Sequence, residues 1–107
     1  CFYTVHDELG GGFLESVYEK SLLLELEAIG ISANGQKDIN VYYRGKLVGE
    51  FRADIIIEGK ILLEIKAVNK LLPIHEAQLL NYLKATGIRI GLLVNFGERL
   101  EFRRKIF

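Results

Sequence analysis

The hydrophobic positions along the chain change their spacing twice, and these changes divide the sequence into helical and extended parts. In the first third, apolar side chains recur at helical spacing at Leu14, Tyr18, Leu22, Leu26 and Ile29. We therefore predict an amphipathic helix over about residues 13–29, ended by Gly30 in a left-handed conformation. Residues 5–9 look like the last turns of an earlier helix, truncated at its start, and the glycines at 10–12 separate the two helices.

The middle of the chain is rich in branched and aromatic residues, which favour strands. They occur in three runs, residues 41–43, 47–57 and 61–66, and the pairs Arg44-Gly45 and Glu58-Gly59 stand between the runs as turn signals. We predict two consecutive β-hairpins, which together make three antiparallel strands.

A second helix and two more strands are predicted after Pro73. Residues 74–86 carry an apolar stripe at helical spacing and end at Gly87, residues 88–96 are a mostly apolar strand, and residues 100–107 are a basic edge strand. The third strand, this helix and the next strand should form a parallel, right-handed unit.

These elements predict the fold class α/β, an α+β mixed sheet with the order α-β-β-β-α-β and an additional C-terminal edge strand. The 107 residues are fewer than an average domain contains, so we expect one domain over residues 1–107. Equal numbers of acidic and basic side chains, 14 of each, provide no strong global attraction to nucleic acid or to a membrane.

Composition also limits the location and the metal chemistry. The longest uncharged apolar stretch, residues 90–97, is far shorter than a bilayer needs, and no signal peptide opens the chain, so we expect a cytoplasmic protein without membrane contact. Cys1 is the only cysteine, which excludes a multi-cysteine metal site. Oxygen or histidine ligands would have to hold any metal.

The most informative residues are charged side chains inside apolar strands, where an unpaired buried charge costs several kcal/mol. Strand side chains alternate between faces, so Glu64 and Lys66 should share a face with Leu62. A two-residue turn at Glu58-Gly59 would place Asp54 on the opposite face, whereas a three-residue loop that includes Lys60 would place Asp54 opposite Glu64. We predict the three-residue loop or an equivalent bulge.

Two adjacent carboxylates repel each other unless a cation lies between them, and with nearby carbonyl oxygens they suit Mg²⁺ or Mn²⁺. A bound ion of this kind and a neighbouring lysine that orients water are the requirements of phosphodiester hydrolysis. A structural salt bridge from Lys66 to Asp54 or Glu64 is the alternative.

Three short motifs occur in order on the predicted elements. Gly12, Glu15 and Tyr18 match G-x-x-E-x-x-Y, Asp54 followed by Glu64-Ile65-Lys66 matches D then E-x-K, and residues 78–82 match Q-x-x-x-Y. Together they resemble the small prokaryotic GxxExxY protein family of the PD-(D/E)xK nuclease superfamily, whose restriction-endonuclease-like core has the predicted order of elements. Ala53 replaces the proline of that motif, and the N-terminal helix is shortened.

The resemblance implies roles for individual residues. Asp54 and Glu64 would be metal ligands together with the Ile65 carbonyl, Lys66 would position the nucleophilic water, and Glu15 would reach the metal directly or through water. Gln78 and Tyr82 would line the site from the second helix, and His75 would contact a phosphate. The alternatives are a core aromatic for Tyr82, a helix-to-sheet hydrogen bond for Gln78, and a capping or surface residue for His75. Glu19, one turn after Glu15, is a candidate for an outer metal ligand, and the alternative for it is a solvated helix residue.

The expected function is that of a nuclease dependent on Mg²⁺ or Mn²⁺, with nucleic acid, most simply DNA, as the partner. A non-catalytic nucleic-acid-binding or assembly module on the same fold stays open, as does an enzyme acting on a small phosphorylated substrate. The exposed last strand offers an edge to a second copy, so a homodimer also stays open. Its basic residues could contact phosphates.

Overall fold

The computed structural model describes residues 1–107, apart from the side chain of Lys37. It contains three helices and five strands. Their bounds in chain order are α1 Phe2–Leu9, α2 Glu15–Ala28, β1 Ala33–Tyr43, β2 Lys46–Ile57, β3 Ile61–Lys66, α3 Pro73–Thr86, β4 Ile90–Phe96 and β5 Leu100–Ile106. No helix among these elements is long and apolar enough to cross a membrane.

The five strands form one mixed sheet in which spatial order equals chain order. The β1-β2, β2-β3 and β4-β5 pairs are antiparallel, and β3-β4 is parallel with α3 as its connection. The mixed α+β architecture, the parallel unit and the basic edge strand β5 are therefore confirmed.

The turn between β2 and β3 sets the register that matters for the candidate site. Ile57 pairs with Ile61, so three residues lie between the strands, and Gly59 adopts a positive φ of 67°. The pair Ile55 and Leu63 extends this register to place Asp54 across from Glu64. The predicted three-residue loop is confirmed.

Apolar side chains on the two faces of the sheet form two cores. One face packs against α1 and α2 through Tyr18, Leu22 and Leu26, and the other packs against α3 through Leu79 and Leu83. All of these side chains except Leu26 are completely buried, and Leu26 is nearly so. Because each core uses only one side of the sheet, the neighbours of a side chain identify the face that it occupies.

This criterion shows that β2 turns over at Asp54. Ala53 belongs to the α3 core, Ile55 to the α2 core and Ile56 again to the α3 core, whereas regular alternation would place Ala53 and Ile55 on one face. The neighbouring strand β1 also turns over: Gly35 faces α2, but Ile39 faces α3. Between these two residues, Gln36 has a φ of 53°.

Strand β1 is the element for which the prediction was wrong. It begins at Ala33 rather than at residue 41. Residues 34–38 are polar or glycine and show no alternation, because the strand reverses its faces there. Backbone pairing with β2 holds this segment in the extended conformation, which its own residues do not indicate. The other element boundaries lie within three residues of the predictions, and those of β3 coincide with them.

Candidate active site

The candidate site lies where β2 separates from β3. The ladder between them contains only the pairs from Ile55 to Ile57, although β2 remains paired with β1 along nearly its whole length. At the point of separation, the Asp54 carboxylate accepts a hydrogen bond of 2.7 Å from the backbone N–H of Ile65. The side chain thus takes the place of a backbone partner on the edge of β3.

Glu64 is directly adjacent and is almost fully buried, with 6% of its surface exposed. Its Oε1 atom accepts a long hydrogen bond of 3.5 Å from the backbone N–H of Asp54. Burial raises the pKa of Glu64 to about 8, and the charge of Asp54 contributes in the same direction. Burial also raises the pKa of Asp54, against the opposing effects of the Ile65 hydrogen bond and the Lys66 charge.

Lys66 shares the α3 face with Glu64, as predicted. Leu62 belongs to the α3 core, while Leu63 and Ile65 belong to the α2 core, so alternation places Glu64 and Lys66 on the side of Leu62. The alternative structural salt bridge is not formed. Among the described residues, the ion pairs within 4.0 Å join Arg52 to Asp38, Arg103 to Glu101 and Lys105 to Glu76.

Glu15 reaches the site from the first turn of α2. The charges of Lys66 and Asp54 both act on its pKa, which partial desolvation raises above its ordinary value. Tyr18 fixes the start of this helix: its hydroxyl donates to the Gly10 carbonyl at 2.7 Å and accepts from the Phe13 N–H at 3.2 Å. The buried ring stacks on Phe96 with centroids 4.5 Å apart. The tyrosine of the first motif is therefore structural, and it positions Glu15.

Helix α3 brings Tyr82 to the site but uses His75 differently. Burial raises the pKa of Tyr82, and the charges of Glu64 and Asp54 add to the effect, while its ring stacks on Phe51 with centroids 4.0 Å apart. His75 Nδ1 accepts a hydrogen bond of 3.0 Å from the backbone N–H of Leu72, so His75 caps the start of α3. The charge of His75 also lowers the pKa of Glu15. Gln78 is on the exposed surface of α3.

Glu19 and Gln36 form a second polar pair that the sequence analysis did not identify. Glu19 was expected to be solvated, but it is 6% exposed, and its Oε2 atom accepts a 2.6 Å hydrogen bond from Gln36 Nε2. Burial raises the pKa of Glu19, Gln36 opposes this, and the charge of Asp54 raises it further. Gln36 has a register position opposite Asp54, between the pairs Gly35–Ile55 and Lys37–Ala53.

Asn95 is the other polar residue that the sequence analysis missed. It pairs with Lys66 in the β3-β4 ladder and is completely buried. Its side chain accepts from the Val68 N–H at 2.9 Å, donates to the Val68 carbonyl at 2.8 Å and donates to Glu101 at 3.1 Å. A single amide inside the apolar run of β4 was a usable signal, since such a group must find partners. It anchors the chain that leaves Lys66.

The donor set suits a hard divalent cation with an incomplete protein shell. Asp54 and Glu64 supply two adjacent carboxylates. The described residues contain no group of three His, Cys, Asp or Glu side chains arranged to hold a metal. Two carboxylates are sufficient for Mg²⁺, which usually keeps several waters and binds substrate phosphates. A cation there would also favour the ionised form of Glu64.

Comparisons with known proteins give one similar solved structure and no curated relative. Among curated protein sequences, none matches this chain. A solved structure, the crystal structure of SSO0001, is similar with a TM-score of 0.67 and 27% sequence identity, over 86% of this chain and 50% of that one. The chain thus spans about half the length of SSO0001.

A family profile covers almost the whole sequence. The profile of the PD-(D/E)XK nuclease superfamily matches residues 1–105. The sheet, with Asp54 and Glu64-Ile65-Lys66 on β2 and β3, is a restriction-endonuclease-like core. On these grounds, the chain belongs to the PD-(D/E)XK nuclease superfamily.

Proposed function

We propose that this protein is a divalent-metal-dependent nuclease that hydrolyses phosphodiester bonds in DNA, with Mg²⁺ or Mn²⁺ as the cofactor. The observation that carries the proposal is the adjacency of Asp54 and Glu64 where β2 leaves β3, with Lys66 on the same face as Glu64. Membership of the superfamily supports nucleic acid as the substrate. The Gly12, Glu15 and Tyr18 motif supports a place in the GxxExxY subgroup.

Different residues of the site bind the cation, orient water and contact the phosphate. Asp54, Glu64 and the Ile65 carbonyl would hold the cation, which would neutralise charge on the phosphate and lower the pKa of bound water. Lys66 orients the attacking water, and the Glu15 carboxylate accepts a hydrogen bond from a water on the α2 side. Tyr82 contacts the phosphate from α3. Gln78 is exposed on the surface of α3, so it contacts the substrate outside the cation site.

Calorimetric titration with Mn²⁺ followed by a cleavage assay tests the metal and the chemistry separately. Wild type should bind Mn²⁺ and cleave DNA, while Glu64→Gln should lose at least tenfold in Mn²⁺ affinity because a charged ligand is removed. Lys66→Ala should keep the Mn²⁺ affinity within about threefold but lose at least 100-fold in cleavage rate, the usual scale for a proton-transfer or water-orienting group.

Glu76→Gln is the matched control, because it is the same substitution at a carboxylate outside the candidate site. Glu76 forms an ion pair with Lys105 at 2.8 Å. The control variant should retain both metal binding and cleavage. Mn²⁺ binding that is unchanged in Glu64→Gln, or cleavage that survives in Lys66→Ala, would contradict the assignment. Binding without cleavage in wild type would support the non-catalytic alternative.

A further inference from the structure

An open groove begins beside the candidate site and runs along the outer part of the β1-β2 hairpin. It has a volume of about 590 Å³, and α3 forms its opposite wall. Phe51 and Tyr82, the stacked pair next to Glu64, line its inner end, and Tyr42 lines its outer end. Its volume falls within the range of small-ligand sites, although it is open to solvent.

The charges and rings along this groove suit a polyanion with flat bases. Its lining includes Lys84, Asn40 and Asn81 but no carboxylate. Beyond the outer end, Arg44 lies in the hairpin turn and Lys46 begins β2 directly after it, and no acidic residue lies between Val41 and Gly49. Asp38 and Glu50 line an adjoining depression that shares Asn40 and Phe51 with the groove, and Asp38 forms an ion pair with Arg52 there at 2.9 Å.

Exposed aromatic surface accompanies these cations. Tyr42 and Tyr43 each expose 61% of their surface, and the Arg44 guanidinium lies 5.3 Å from the centroid of the Tyr43 ring. Aromatic rings beside cations are the common surface on which single-stranded nucleic acid is bound without sequence preference, because every base offers a face for stacking.

Strand β2 connects the groove to the candidate site. Phe51 lines the groove, stacks on Tyr82 and lies three residues before Asp54 on this strand. Strand β2 runs eight residues from Asp54 to Lys46, a distance of about 26 Å at 3.3 Å per residue. At 3.4 Å per stacked base, this path corresponds to roughly eight nucleotides.

We propose that the groove between the β1-β2 hairpin and α3 binds single-stranded nucleic acid and leads it from the hairpin turn to the Asp54–Glu64 site. The inference rests on the proposed function, which it extends by naming the substrate as a strand of about eight nucleotides or more. Tyr42 stacks on a base, and Lys84, Arg44 and Lys46 contact phosphates.

Fluorescence anisotropy with fluorescein-labelled oligothymidylates of four and twelve nucleotides tests this proposal, in EDTA so that nothing is cleaved. Wild type should bind the twelve-nucleotide strand at least tenfold more tightly than the four-nucleotide strand. The Tyr42→Ser/Lys84→Gln double variant should bind the longer strand about tenfold more weakly than wild type, since one stacked base and one phosphate contact are lost.

The control is Tyr3→Ser/Lys20→Gln, which removes an exposed tyrosine from α1 and an exposed cation from α2. It should bind the longer strand within twofold of wild type. A separate Arg44→Gln/Lys46→Gln variant should lower the slope of log affinity against log salt concentration by about 1.4, at about 0.7 per phosphate contact. Equal losses in the groove and control variants would overturn the proposal.

Three further outcomes would also overturn it: no length dependence, tighter binding of a twelve-base-pair duplex than of the single strand, or loss of self-association in the groove variant, which would make the groove an interface between copies. Hydrolysis of bis(4-nitrophenyl) phosphate by wild type with Mn²⁺ separates this result from the chemistry. Hydrolysis without strand binding refutes the groove alone, whereas strand binding without hydrolysis supports the groove and contradicts the nuclease.

Discussion

Ionisation of the buried Glu64 carboxyl group destabilises the folded protein when no cation is bound beside it. The Glu64 pKa of about 8 in the folded protein lies above the ordinary value of 4.5. The folded state therefore holds this proton more tightly than the unfolded state, and its contribution to stability is lost as the pH rises from about 4.5 through 8. A bound divalent cation should reverse the loss.

We therefore expect Glu64→Gln to stabilise the metal-free protein at high pH. In EDTA at pH 9 the variant should have a free energy of unfolding about 2–4 kcal/mol above that of wild type, since each pKa unit corresponds to about 1.4 kcal/mol. At pH 5 the two proteins should be close to equal. Urea unfolding at both pH values measures the difference, and a difference independent of pH would refute the explanation.

Gln36 has a positive φ, which is unfavourable for a residue other than glycine, and its side chain donates a hydrogen bond to Glu19. Gln36→Ala should lower the free energy of unfolding by about 1–3 kcal/mol, because the buried Glu19 carboxylate loses its donor. Gln36→Gly should recover about 1 kcal/mol of that loss, since glycine adopts positive φ without penalty.

The pH dependence of the Gln36→Ala effect identifies its cause. Gln36 lowers the pKa of Glu19, so removing it lets that pKa rise further. The loss of stability should therefore be greater at pH 8 than at pH 5, when measured by urea unfolding of both proteins in EDTA. Equal losses at the two pH values would assign the effect to packing instead.

At this scale, the sequence was informative wherever a charge interrupted an apolar run. Asp54, Glu64 and Lys66 could be identified because each is a charged residue within a run of apolar ones. Gln36 lies in a polar stretch, and Glu19 lies on a helix that carries several other acidic residues, so nothing local distinguished them. Their contact joins α2 to β1, and only the folded chain brings these elements together.

At the scale of elements, periodicity was sufficient for both long helices and for every strand except β1. The two antiparallel pairs among β1, β2 and β3 also followed from the sequence, because short turns join antiparallel neighbours, and the parallel direction of β4 followed from the α3 crossover. The reversal of faces at Asp54 could not be predicted, since it depends on β1 and β2 turning over together. This reversal separates β2 from β3 and opens the site.

The end of β3 depends on Asn95, which holds the chain after Lys66 through both backbone groups of Val68. Asn95→Ala should lower the free energy of unfolding by about 2–3 kcal/mol, because the variant loses the three hydrogen bonds that this completely buried amide makes. It should also accelerate hydrogen exchange of the Val68 amide. Asn69→Ala, an exposed change in the same loop, should alter neither quantity; similar effects in both variants would contradict the role.

At the scale of the whole molecule, the outer hairpin is separate from the two cores. Every residue from Tyr42 to Val48 is exposed, and the register that fixes the site lies between Ile55 and Leu63. Replacing residues 42–48 by Asn-Gly, a favoured two-residue hairpin turn, should therefore change the free energy of unfolding by less than about 1 kcal/mol.

The same shortened protein should lose most of its affinity for the twelve-nucleotide strand, because Arg44, Lys46 and Tyr42 are removed together. Thermal unfolding and fluorescence anisotropy on one preparation measure the two effects. A protein that no longer folds would show that the hairpin belongs to the core, and full strand affinity would contradict its role in binding.

The hydrogen bond from Ile65 to Asp54 affects how mutagenesis of this site is interpreted. Asp54 is a strand partner as well as a candidate ligand, so alanine at this position removes a ladder acceptor along with a charge. Inactivity of such a variant would confound misfolding with lost chemistry. Asparagine retains an oxygen that can accept from the same N–H, and it is therefore the substitution that isolates the charge.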